Sequence, residues 1–333
     1  MIRFIDMHCD TISELYQDHA KGGDASIRDC ALSVNLDKLE MGGCGLQNFA
    51  LFTHLKTAGD SPFLYCLKLA DTFFTEMRAN QERIGIVKSW EEIKKNWDTG
   101  RMSALLTVEE GGVCQGEGAY LRILYELGVR MMTLTWNFQN ELGWPNRRVE
   151  EAGGQVHYET DEEHGLTETG IAFVEAMEEM GMIIDIAHLN DAGIWDVFRH
   201  TRKPFVASHS NCRALTPHPR NLTDAMIREL AERGGVAGMN FNKAFVMRQP
   251  GGNGEEMAYI SEILAHIRHM KQVGGIGVIG LGSDFDGIPN PVEFGDASGM
   301  QLLAEAMERD GFRTGEIEAV FYGNVMRVYQ EIL

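Results

Sequence analysis

The stretch Met1-Ile-Arg-Phe-Ile-Asp-Met-His-Cys-Asp10 opens the chain and decides how the rest is read. A short apolar run, Ile2 to Ile5, delivers His8 and Asp10 two positions apart. On a strand, alternation puts both side chains on one face, where imidazole and carboxylate can share a cation. His-x-Asp also arises by chance, as a polar pair capping a strand end. The reading therefore depends on whether later strands bring further ligands to their own ends.

Working outward, β-branched or apolar runs alternate with longer amphipathic segments. The strands expected are Arg3–Asp10, Gly43–Phe52, Met102–Glu110, Met131–Asn137, Met182–His188, Pro204–Ser210, Gly235–Phe241 and Val278–Asp286. Helical spacing of apolar residues marks Pro62–Met77, Ala119–Leu127, Thr167–Met180, Asp224–Glu232 and Ala258–Val273. Eight strands with helices between them predict an α/β fold, a (β/α)8 TIM barrel forming one domain over residues 1–333. Two irregular stretches, Trp144–Gly165 and Arg248–Glu255, then become loops on the active-site face. Residues 18–40 and 80–100 are expected as ordinary loops and helices outside. No internal repeat is evident.

In such a barrel, chemistry sits where strands end. Strand one ends in His8 and Asp10, strand three in Thr107-Val-Glu-Glu-Gly-Gly112, strand five in Ile183-Ile-Asp-Ile-Ala-His188. Strand six ends in Val206-Ala-Ser-His-Ser210 and strand eight in Gly280-Leu-Gly-Ser-Asp-Phe-Asp-Gly287. Five strand ends thus bring His, Asp and Glu to one place, which five independent accidents do not explain.

Composition narrows the partners. The chain has 333 residues, 44% of them hydrophobic, and a net charge of −19, which argues against nucleic acid and anionic membrane as partners. No window approaches the roughly 18 apolar residues that span a bilayer. With no basic-plus-apolar leader pattern at its start, the chain is expected to be cytoplasmic. Six cysteines without CxxC spacing read as reduced, mostly buried thiols.

The ordered set Asp6-x-His8-x-Asp10, Glu110-Gly-Gly112, Asp185-x-Ala-His188, Ser208-His209-Ser210, Arg220-Asn221 and Ser283-Asp-Phe-Asp-Gly287 resembles the membrane (renal) dipeptidase family of zinc peptidases, which have amidohydrolase-type barrels. The resemblance runs over nearly the whole chain and is closest to bacterial-type members. It implies two zinc ions per chain: His8, Asp10 and Glu110 on one, Glu110, His188 and His209 on the other, with Glu110 bridging and a hydroxide between them as nucleophile. Asp284 would carry the proton and Arg220 would take the substrate's terminal carboxylate. Asn221, Trp136 and Asn137 complete the expected substrate contacts. Animal-type members have a histidine where Trp136 stands, credited with polarising the substrate carbonyl; an indole offers an N–H and no charge.

The implied activity is hydrolysis of dipeptides, L,L and L,D both within range, and relatives point to a homodimer. Alternatives on the same metal site are hydrolysis of an N-acyl amino acid or a lactone, or a metal-binding barrel without turnover. Asp286 competes with Asp284 for the inward position, since strand alternation cannot separate residues two apart. Asp6 and Asp185 are placed for support of the ligands behind them. Cys9 is expected to pack in the core, His54 to reach the pocket at most, and His266 and His269 to lie on an exposed helix face.

Overall fold

The computed structural model describes residues 1–59, 61–151, 154, 156–247 and 257–333. Eight parallel strands close into a barrel: β1 (Phe4–Asp6), β2 (Cys44–Phe52), β3 (Met102–Glu109), β4 (Val129–Thr133), β5 (Ile183–Asp185), β6 (Val206–Ala207), β7 (Val236–Met239) and β8 (Ile279–Leu281). Each strand pairs with its neighbour in this order, and β8 returns to β1 through Asp6 and Leu281. Seven of them lie within the segments that the apolar runs marked, and β4 begins two residues before the expected Met131–Asn137. The helices Pro62–Ala79, Gly118–Leu127, Glu168–Met180, Asp224–Glu232 and Ile260–Gly274 match the periodic segments. Their ends have local causes: Ser61 and Thr167 accept from Leu64 N and Gly170 N at the first turns, and Gly181, at φ 75°, ends the third.

Two elements depart from the expectation. A short strand, Ile84–Val87, lies along the lower half of β3 within the region read as outer loops and helices. Four residues including a glycine give too little alternation to stand out. The antiparallel hairpin Arg147–Glu150 with Val156–Glu159 rises from the loop after β4; it is exposed on nearly every residue, so no apolar pattern signals it. The Arg248–Glu255 stretch lies outside the described residues.

The barrel interior is layered. Ile5, Leu46, Leu105, Met131, Ile183, Val206 and Val236, one from each of β1–β7, form a floor with Val325, Val328 and Tyr329 of the helix Asn324–Ile332. β8 gives Gly280 at this level, where a Cβ would come within 2.7 Å of Val236 and 3.0 Å of Val325, so the helix fills that place. Two residues further along, the same parity turns polar: Asn48, Thr107, Thr133, Asp185 and Ser208, all buried. One more step on β3 reaches Glu109. The opposite parity, Ala104, Leu106 and Val108, packs with the larger cluster between strands and helices. All six cysteines are buried and unpaired. No helix among the described residues is long and apolar enough to cross a membrane.

Candidate active site

Two aspartates set up the mouth of the barrel. Asp6, at the end of β1, accepts Ser283 N at 2.7 Å, Ser283 Oγ at 2.6 Å, Gln47 Nε2 at 3.0 Å and His8 N at 3.3 Å. Asp185, at the end of β5, accepts Ser208 N at 2.8 Å, Ser208 Oγ at 2.5 Å, Thr133 Oγ1 at 2.6 Å and Ala187 N at 3.0 Å. Neither carboxylate has capacity to spare, so both support the strand ends from below.

Above them six side chains converge: His8, Asp10, Glu109, His188, His209 and Asp284. Glu109 is the hub. Its Oε2 lies 3.4 Å from His8 Nε2, and its Oε1 lies 3.1 Å from His188 Nε2 and 3.7 Å from His209 Nε2. Asp10 Oδ2 and Asp284 Oδ1 approach His8 Nε2 at 3.4 and 3.9 Å. Burial works against charge here, yet the imidazoles hold Glu109 below the usual carboxylate range, and Glu109 with Asp10 holds His8 well above the usual imidazole range. Burial keeps His188, at about 4, and His209 neutral.

The donor set fits divalent cations. Ser208 Oγ gives its proton to Asp185, so it accepts from His209 Nδ1 at 2.7 Å; Asn137 Oδ1 accepts from His188 Nδ1 at 3.2 Å. Both Nε2 atoms then present lone pairs, 2.9 Å apart, an arrangement that a shared positive charge makes favourable. The ring nitrogens of His8 and Asp10 Oδ1 are buried without hydrogen-bond partners among the described residues. Imidazole nitrogen with carboxylate oxygen is the ligand chemistry of zinc. Two overlapping groups, His8 with Glu109 and His209, and His8 with Asp10 and Asp284, bring their ligand atoms within 4.8 Å of one another.

The geometry corrects the reading of the two glutamates. Glu110, expected as bridging ligand, faces away from the cluster. Its carboxylate accepts Gly112 N at 2.8 Å, Trp136 N at 3.1 Å and Asn140 Nδ2 at 2.5 Å. Burial pushes this group up to about 7. Gly112 is required, because a Cβ there would meet Glu110 Oε1 at 2.7 Å. The cause of the exchange is parity: Leu105, Thr107 and Glu109 share the inward face, and Glu110 has the other.

Other expected contacts sort as follows. Asn221 spends its amide on Thr216 O, Phe245 O and Asn211 N, so it holds the loop and leaves nothing for a ligand. Asn137 lines the cleft but orients His188. Asp286 is saturated by Thr11 Oγ1, Ser33 N and Val34 N, whereas Asp284 faces the cluster and accepts Asn240 Nδ2 at 2.9 Å. Asn240 gave no signal in sequence. His54 packs among Phe52, Trp136 and Phe138 at the rim. His266 is fully buried and accepts Cys212 N, contrary to the exposed face expected; His269 pairs with Asp224. Cys9 is in the core.

The cluster opens into a cleft of about 250 Å³ lined by Asp10, Ser13, Glu14, Gln17, Phe52, Glu109, Trp136, Asn137, His188, Asn242, Phe245, Asp284 and Asp286. Beside it lies Arg220, 8% exposed; among the described residues it donates to Ser210 Oγ at 3.4 Å and His209 O at 3.3 Å and leaves Nε unpartnered. Its guanidinium pairs with no carboxylate among the described residues, and burial lowers it to about 10. A buried cation without a counter-charge is costly unless a ligand supplies one. Backbone strain gathers here as well: Glu110, His188, Asp284 and Asp286 all have φ between 63° and 92°.

Known proteins are similar to this chain. A protein of Klebsiella pneumoniae described as an uncharacterized protein in the pqqA 5' region is 32% identical over 250 residues, 75% of this chain and 89% of that protein. An uncharacterized dipeptidase of Schizosaccharomyces pombe is 30% identical over 315 residues, 90% of this chain and 72% of its own length. The crystal structure of a metallo peptidase from Rhodobacter sphaeroides, liganded with a phosphinate mimic of the dipeptide L-Ala-D-Ala, superposes with a TM-score of 0.86 at 22% identity, covering 100% of this chain and 99% of that one. The model of the membrane dipeptidase family, peptidase family M19, matches residues 1–333, and the chain belongs to that family.

Proposed function

We propose that this chain hydrolyses the amide bond of L,L- and L,D-dipeptides with two zinc ions, held by His8 and Asp10 on one side and by His188 and His209 on the other, with Glu109 shared. Its coarse activity follows from its family: it is a hydrolase acting on dipeptides. The observation that carries the finer reading is the Glu109 carboxylate, which faces imidazoles from three different strand ends within 3.7 Å. Bound zinc supplies a Lewis acid for the scissile carbonyl and lowers the pKa of water toward about 7.

The remaining work falls to the protein. Arg220 receives the terminal carboxylate of the dipeptide as a charge-assisted pair. Asp284 Oδ1 takes the proton of the attacking water and delivers it to the leaving amine, while Asn240 holds Oδ2 in place. Phe52 and Trp136 wall the cleft against bulk water.

Metal analysis of the purified protein, with assays on L,L- and L,D-dipeptides, tests this reading. Two metals per chain and turnover of dipeptides support it. Turnover by metal-free protein, or of N-acyl amino acids or lactones in place of dipeptides, overturns it.

A further inference from the structure

The cleft has an end that this chemistry leaves unused. Arg220 follows β6, and β2, beside β1, stands across the eight-stranded barrel from β6. A dipeptide anchored by its carboxylate at Arg220 reaches about 7 Å, so its first residue points toward the loops after β1 and β2. There the wall is one face of the helix Thr11–Ala20, carrying Ser13, Glu14 and Gln17 at adjacent helical positions.

Ser13 lines the cleft at 2% exposure, and its Oγ has no hydrogen-bond partner among the described residues. Glu14 is half-buried and makes no ion pair among the described residues; its carboxylate accepts a hydrogen bond from Gln17 Nε2 at 3.5 Å. Burial and the nearby Asp286 push the Glu14 carboxylate up, with Lys21, about two turns further on, offsetting them only in part. Asp286 itself is saturated, which leaves Glu14 as the carboxylate at this end for a ligand. Phe52 and Trp136 line the same cleft. An apolar wall beside a carboxylate and a free hydroxyl suits a side chain with a methylene stem and a cationic head.

We propose that Ser13, Glu14 and Gln17 form a subsite for a cationic side chain, lysine or arginine, on the first residue of the dipeptide. The head donates to Ser13 Oγ and the Glu14 carboxylate, and the stem passes the Phe52 ring. This subsite rests on the dipeptidase reading above and names its substrate class.

The test is the ratio of kcat/KM for Lys-Ala over norleucyl-Ala, which share the α-ammonium and the four-carbon stem and differ in the charged head. In the wild type the ratio is about ten or more, the scale of one charge-assisted hydrogen bond. Glu14→Gln brings it toward one, and Glu14→Lys makes Glu-Ala a better substrate than Gln-Ala. A wild-type ratio near one with norleucyl-Ala turned over removes the subsite and leaves the dipeptidase. A ratio unchanged by Glu14→Gln removes it too. If no dipeptide is hydrolysed, the proposed function falls and the subsite falls with it.

Discussion

Glu109 and Glu110 are adjacent and both buried, yet their substitution has opposite consequences. Glu109 Oε2 stands 3.4 Å from His8 Nε2. Unit charges at that distance interact by about 5 kcal/mol at an effective dielectric near 20. Glu109→Gln keeps the shape and removes the charge, so positive charge in the pocket becomes several kcal/mol less stable. At about 1.4 kcal/mol per tenfold, metal affinity falls at least about 100-fold, and turnover goes with it. The fold loses little, because the Glu109 carboxylate holds only the imidazoles. Glu110→Ala instead strands Gly112 N, Trp136 N and Asn140 Nδ2 in the interior. Unpaired buried donors cost about 1–3 kcal/mol each, so the loss is about 3 kcal/mol or more and Tm falls by about 4 °C or more. Thermal unfolding with chelator present, followed by metal content after dialysis against fixed zinc, separates the two. Glu110→Ala losing metal at an unchanged Tm, with Glu109→Gln retaining both, would refute the assignment.

Asp284→Asn keeps the metal content while kcat drops by about 10²–10⁴; an unchanged kcat removes Asp284 from the proton path. Arg220→Met raises KM for dipeptides about 30-fold or more and has little effect on C-terminally amidated dipeptides, as steady-state kinetics on the two series will show. Ser208→Ala removes the acceptor for His209 Nδ1, and zinc affinity by competitive chelation falls about 10- to 100-fold. Tyr329, fully buried, accepts Asn48 Nδ2 at 2.7 Å in the barrel floor. Tyr329→Phe costs about 1–2 kcal/mol in urea unfolding and leaves turnover per folded molecule unchanged.

The barrel was legible because seven of its eight strands carry an apolar inner residue at the floor, and alternation transmits that signal along the chain. The same alternation, carried from Leu105 through Thr107, points to Glu109. The glutamate beside the glycine pair drew the assignment to Glu110 because the resemblance rested on local spelling, while parity is a property of the whole strand. Asn221, next to Arg220, was misread for a related reason: in Arg-Asn one side chain is left without a carboxylate partner among the described residues and the other ties its own loop, a division that depends on the loop's path. Asp284 and Asp286 share a sequence environment, and only the position of Ser33 and Val34, some 250 residues away, shows which of them is occupied. The exposed hairpin left no pattern at all, since neither of its faces is buried.

The two clamping aspartates show why the site and the barrel are one structural problem. β1 meets β8 at a single residue pair, Asp6 with Leu281, and β5 meets β6 at a single pair, Asp185 with Val206. These are the thinnest seams of the barrel, and three strands, β6 to β8, separate them. At each, one carboxylate takes both the N–H and the hydroxyl of a serine on the adjoining strand, a two-point bond that replaces missing ladder hydrogen bonds. The residue after each serine belongs to the cluster: His209 after Ser208, Asp284 after Ser283. Each aspartate also precedes a cluster histidine, His8 by two residues and His188 by three. Four of the six converging side chains are therefore aimed by two groups that close the barrel and never reach the cleft. Loosening either clamp moves a side chain of the cluster on both strands at once, so Asp6 and Asp185 are as constrained by the chemistry as the residues that face it.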